Sequence, residues 1–211
     1  MKRFEHTRPA GGMLRRLAIL IAVFSMTLNW TASAGAQAGD GSDSSEYLVK
    51  AGFIYNFAKF VEWPSTAFAE PDSPIVIGVL GTDPFGDIIN HVVEGKKIGT
   101  RGFVIRRFKW SKELKDSRDF KDCRILFVSS SEKMHFEEIF DAVKGLPVLT
   151  VGETPGFAER GGMIRLMLED NRVRFEVNVD AAHDGNLNIS SRLLTLARII
   201  APAGPSARKP G

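Results

Sequence analysis

The stretch YLVKAGFIYNFAKFVEWP, from Tyr47 to Pro64, decides how the rest of the chain reads. Its apolar spacing predicts one amphipathic helix, stopped at Trp63-Pro64 because a residue before proline is pushed out of the α region. At about 100° per residue, Tyr47, Ala51, Ile54, Ala58 and Val61 form one narrow stripe. Phe53, Phe57 and Phe60 form a second stripe roughly 110° away. A helix covering one core surface needs an apolar arc little more than 100° wide, and this arc is about twice that. The width admits two readings. Either the helix is sunk deep in its own domain, or one stripe packs on the domain while the phenylalanines are offered to a partner.

Working outward toward the N-terminus, Ser44 or Ser45 is expected to cap that helix, and residues 37–45 read as a small, polar, flexible leader. Residues 1–36 carry the pattern of a secretory signal: Lys2, Arg3, Arg8, Arg15 and Arg16, then an apolar run from Leu17 to Leu28, then small residues with A-x-A sites ending at Ala34, Ala36 and Ala38. The apolar run is short for a membrane span. The five basic residues and one Glu before Ala36 carry +4 of a formal net charge of +3, leaving −1 beyond it. A near-neutral exported domain gives no general argument for nucleic acid. Cys123 is the single cysteine, so no intrachain disulfide can form and the core must hold the fold.

Working outward toward the C-terminus, Ile75–Gly81, Cys123–Ser130 and Leu146–Val151 are short apolar runs without polar alternation, as expected of strands covered on both faces. Gly102–Lys109 mixes Phe103, Ile105 and Phe108 with basic residues, and reads as a more exposed strand. Thr82-Asp83-Pro84 predicts a helix reaching about Glu94, and a short helix is expected around Glu113–Ser117. Ser129 and Glu132 predict a capping box for a helix closed by Gly145. The segment MIRLMLEDNRVRFEVNVD alternates on both sides of Glu169-Asp170-Asn171, which predicts a β-hairpin. A closing helix is expected beyond it, with Leu193, Leu196, Ala197 and Ile200 on one face. The fold class is therefore α/β: a mixed, largely parallel sheet of about six strands flanked by helices on both faces, with a C-terminal hairpin and closing helix. One domain spans 46–201, and 202–211 read as a disordered tail.

The chemistry-bearing residues form no catalytic or metal pattern. His6, His91, His135 and His183 are scattered, with no H-x-x-x-H or C-x-x-C spacing, no nucleophile elbow and no P-loop. No cofactor is implied. The turn from Gly81 to Gly86 follows a buried strand where parallel sheets often bind ligands, which keeps open a small-molecule-binding module feeding a sensor. Cys123 reads as a small buried hydrophobe, and Asn178 as a strand amide bonded to the backbone of the turn at 181–186.

The blocks KAGFIYNFAKFVEWP, GTDPFG, CRILFVSSSE, PVLTVGE with FAERGGMI, and RFEVNVDAAHDGNLNISSRLLTLA together resemble the YfiR family of exported proteins, over roughly Glu46 to Ile200. Matching positions are Phe53, Phe57, Phe60 and Trp63, then Asp83 and Gly86, then Phe175, Glu176 and Asn178. The resemblance implies a non-enzymatic periplasmic repressor that binds the periplasmic sensor region of an inner-membrane diguanylate cyclase, lowering cyclic di-GMP and biofilm formation. It further implies sequestration by an outer-membrane lipoprotein, a homodimer, and a partner protein, for which Phe53, Phe57, Phe60 and Trp63 of the aromatic helix are the candidate contacts. The lone Cys123 departs from the disulfide-based redox control described for that family.

Overall fold

The apolar runs become a seven-stranded sheet. The computed structural model describes residues 40–115 and 119–200. Strands β1 (Val61–Glu62), β2 (Ile75–Leu80), β3 (Phe103–Phe108), β4 (Cys123–Val128), β5 (Leu149–Gly152), β6 (Ile164–Glu169), β7 (Arg172–Asn178), β8 (Asn188–Ile189) and β9 (Arg198–Ile200) alternate with helices α1 (Asp40–Phe60), α2 (Ile88–Val93), α3 (Lys112–Lys115), α4 (Asp119–Asp122), α5 (Phe136–Val143), α6 (Val179–Asp184) and α7 (Ser191–Leu194). The sheet order is β3-β2-β4-β5-β6-β7-β9. Strands β2 to β6 are parallel, β7 reverses against β6, and β9 runs parallel to β7. A separate two-stranded ribbon joins β1 to β8.

Every residue of β2, β4 and β5 is buried, as their unbroken apolar runs require. Alternation then divides two cores. Ile75, Ile77, Val79, Ile125, Phe127 and Val151 join α1 on one face. Val76, Leu80, Leu126 and Val128 join Phe136, Ile139 and Val143 of α5 on the other. The hairpin turns on Asp170 and Asn171, whose φ values of 49° and 58° are the left-handed pair that a two-residue hairpin turn needs.

Four local expectations are corrected. Helix α1 ends at Phe60, not Trp63, because Val61 and Glu62 are drawn into pairing with Ile189 and Asn188, and the Ser190 amide bonds the Phe60 carbonyl at 2.9 Å. It also begins at Asp40, inside the stretch expected as a flexible leader. The signal segment 1–36 and the tail 202–211 lie outside the described residues. Thr82-Asp83-Pro84 does not open a helix: Asp83 Oδ1 accepts from the Phe85 amide at 2.8 Å, making a local turn that buries Phe85, and α2 starts only at Ile88. The capping box is half made. Ser129 caps its turn, but the Glu132 carboxylate bonds the Ser131 hydroxyl, while the Ser129 amide is taken by the Leu80 carbonyl.

The fourth correction is the closing helix, which shrinks to the single turn α7, capped by Ser190, before the chain returns as β9. The apolar stripe is thereby split, and Leu196 stands 70 % exposed. Two needs of β7 outweigh helical propensity here. Its free edge takes Arg198–Ile200 as a partner strand, and its buried Glu176 gains Arg198 beside Arg165.

Asn178 ties the end of the hairpin to the start of α6. Its Nδ2 donates to the Ala158 carbonyl at 2.8 Å, and its Oδ1 accepts from the Ala181 amide at 3.0 Å, capping α6. Losing both bonds at a site 1 % exposed is expected to cost about 2–3 kcal/mol in Asn178→Ala. Urea unfolding should also show Asn178→Asp recovering little, because a carboxylate would face the Ala158 carbonyl.

Candidate partner-binding surface

Helix α1 settles which of its faces is available. Phe57 is 0 % exposed and rests on Phe175 of β7 at 5.3 Å between ring centres. Phe53 leans on the same ring at 5.5 Å and on Phe57 at 6.0 Å. Ala51, Ile54, Ala58 and Val61 are buried as well, so both stripes pack largely inside the domain. The deep-burial reading accounts for the width of the apolar arc, and Phe57 has no surface to offer a partner while it stays in place. Phe53, Phe60 and Trp63 are only half-buried. The Trp63 indole N–H is shielded and has no hydrogen-bond acceptor within the described residues.

The outward side of α1 carries two apolar residues that the wheel did not single out, Leu48 at 55 % and Val49 at 45 % exposure. Val49, Phe53 and Phe60 fall within about 40° of one another around the axis. They form a seam beside the solvent-facing Asn56 and Lys59. Leu48 and Val49 lie outside both stripes, one beyond each margin of the arc, and nothing local tells which margin a sheet will cover.

A buried ionic cluster holds the other end of α1. Lys50, 4 % exposed, bridges Glu46 one turn earlier and Glu153 beyond β5, and the Tyr47 hydroxyl donates to Glu153 at 3.3 Å. Burial works against the ammonium, but the bonds Lys50 donates to Glu153 and Glu46 outweigh it and hold its proton above the ordinary lysine range.

The alternative ligand site from Gly81 to Gly86 is occupied by the protein itself. The Thr82 amide donates to Ser131 Oγ at 3.0 Å, and Asp83 is spent on the Phe85 amide and on Arg107 Nε at 2.7 Å. A cleft of about 310 Å³ opens elsewhere between α5 and α6, but the polar residues on its floor, Thr150 and Asn178, already serve the Met163, Ala158 and Ala181 backbone.

Thiol chemistry is disfavoured. Burial pushes the Cys123 thiol up to about 12, and its Sγ donates to the Asp119 carbonyl at 3.4 Å. His135 lies against Trp110, 5.9 Å between ring centres, and pairs with Glu138 at 3.7 Å. Among the described residues no group of three or more His, Cys, Asp or Glu could hold a metal ion, and no helix is long and apolar enough to cross a membrane.

Two stability measurements check these assignments. Lys50→Met leaves Glu46 and Glu153 facing each other without their cation and should lose about 2–4 kcal/mol at neutral pH. The Cys123 thiol keeps its proton in the folded protein to about pH 12 but releases it near 9 when unfolded, so its share of stability is lost as pH rises from 9 toward 12. Denaturant titrations of wild type and Cys123→Ala should converge over that range.

A sequence model of the YfiR/HmsC-like family matches residues 47–198. No curated protein matches the chain at a significant level. At the level of the family, the match supports a regulatory, non-catalytic periplasmic protein acting on diguanylate cyclase signalling. Because the match runs from Tyr47 in α1 to Arg198 at the start of β9, the chain belongs to the YfiR/HmsC-like family.

Proposed function

We propose that this protein is an exported repressor that binds the periplasmic sensor region of an inner-membrane diguanylate cyclase and holds it in its inactive conformation. The observation that carries the reading is the half-exposed apolar seam of Val49, Phe53 and Phe60 on α1, followed by the half-buried Trp63. Aromatic residues with one face anchored and one face free are the side chains that dominate protein interfaces. The family membership supplies the kind of partner. Phe57, the fourth residue expected at the contact, acts from beneath by bracing Phe53 against Phe175.

Such a repressor works by occupancy. Binding one conformation of the sensor better than the other shifts the population toward the inactive form, by no more than the difference in affinity. Cleavage of the N-terminal 36 residues, a homodimer and capture by an outer-membrane lipoprotein belong to the same proposal.

Pull-down from membranes with the purified protein is expected to recover a cyclase, and Phe60→Asp or Val49→Asp to weaken capture at least tenfold while leaving the melting temperature within a few degrees. Phe57→Asp should instead unfold the domain, since it buries an unpaired charge. Deleting the gene should raise cyclic di-GMP and biofilm formation. Unchanged levels of both, with export of the protein verified, would reject the reading.

A further inference from the structure

The edge of the sheet opposite β9 carries a second surface, independent of the α1 seam. Strand β3 is hydrogen-bonded to β2 over six consecutive residue pairs with no bulge, and it contains no proline. The carbonyls of Gly102 and Phe108 accept from β2 and the residue after it. Alternation therefore turns the amides and carbonyls of Phe103, Ile105 and Arg107 outward. Among the described residues none of these outward groups has a backbone partner outside its own ladder.

The usual devices that stop an edge from pairing are a short strand, a proline, a bulge or charge. Here only charge is present, and it has one sign. Residues 96–109 contain Lys96, Lys97, Arg101, Arg106, Arg107 and Lys109 and no Asp or Glu, in a chain whose residues beyond Ala36 sum to −1. The Arg106 and Arg107 side chains are each 42 % exposed, on opposite faces of the strand, and Val104 is 40 % exposed beside Arg106. Arg106 reaches an exposed Asp122 at 3.3 Å, a loose bridge that an incoming carboxylate can replace, whereas Arg107 is already held by Asp83 and by the Gly86 carbonyl, each at 2.7 Å.

We propose that β3 is a docking edge for an extended acidic segment of a partner protein, which adds an eighth strand to the sheet. Main-chain bonds to Phe103, Ile105 and Arg107 would supply the general attraction, and Arg106 with the exposed Lys109 the selection. A second copy of this chain is the wrong occupant, because two β3 strands paired about a two-fold axis bring their arginines together, and like charges opposite one another repel. The complementary strand carries Glu or Asp residues opposite Arg106 and Lys109, flanked by β-branched residues that cover Val104 and Ile105.

The probe is a capped eight-residue peptide with two central glutamates among valines and threonines, compared with its twin carrying two lysines. The acidic peptide should bind the purified protein at least tenfold more tightly, with the gap closing as salt is raised. It should slow amide exchange at Phe103, Ile105 and Arg107. Arg106→Glu with Lys109→Glu should abolish the preference and leave the fold intact. Ile105→Pro, which removes an outward donor and no ladder bond, should abolish binding while exchange protection of β4 and β5 persists. Equal binding of the two peptides, protection mapping away from β3, or dimers joined through β3 would each overturn the proposal. Binding to phosphatidylglycerol vesicles but not to the acidic peptide would overturn it as well.

Discussion

Everything in this domain depends on one helix closing one face of the sheet. Strands β2, β4 and β5 are apolar on both sides, so neither face can be left to water. The second face is covered in pieces, by α5, α4 and Phe157. The first is covered chiefly by α1, whose Ala51, Ile54, Phe57 and Ala58 are buried in the core with Phe57 resting on Phe175. The two stripes that looked like two destinations are two sides of a single deep groove. What remains for a partner is the rim of that packing, where Phe53 and Phe60 are held on one side and bare on the other.

Lys50 gives this closure a unique alignment. A purely apolar helix on an apolar sheet could slide by a turn at modest cost. A single buried ammonium held between a carboxylate on its own helix and another beyond β5 fits only one placement. The cluster adds little to net stability for its burial, and its contribution is to specify register, on which the position of the half-exposed seam depends.

The sheet was legible because the signals that define it are local. Cys123–Val128 and Ile75–Leu80 are short apolar runs bounded by turn residues, and Glu169-Asp170-Asn171 interrupts an alternation that resumes with the same faces. Asn178 could be assigned to the turn at Ala181 for the same reason. The expectations that failed depended on distant residues. The end of α1 is set by Ile189 and Ser190, more than a hundred positions away, and the last strand exists because β7 has a free edge and a buried Glu176. Of the four aromatic residues expected at the contact, three keep exposed surface. Phe57 does not, since a helical wheel orders residues around an axis without saying where the sheet will lie.

The pairing of β1 with β8 also bears on when this protein can fold. Glu62 meets Asn188 across 126 positions of sequence, and Tyr47 meets Glu153 across 106. Contacts this distant slow folding, because long loops must close before they can form. The helix that seals the core is thus synthesised before the strands it packs on, and its end is fixed only once β8 is present. A chain passed N-terminus first through a translocation pore would lack the β1–β8 pairing until residues near 189 arrive, so the same connection that completes the domain also comes last to it.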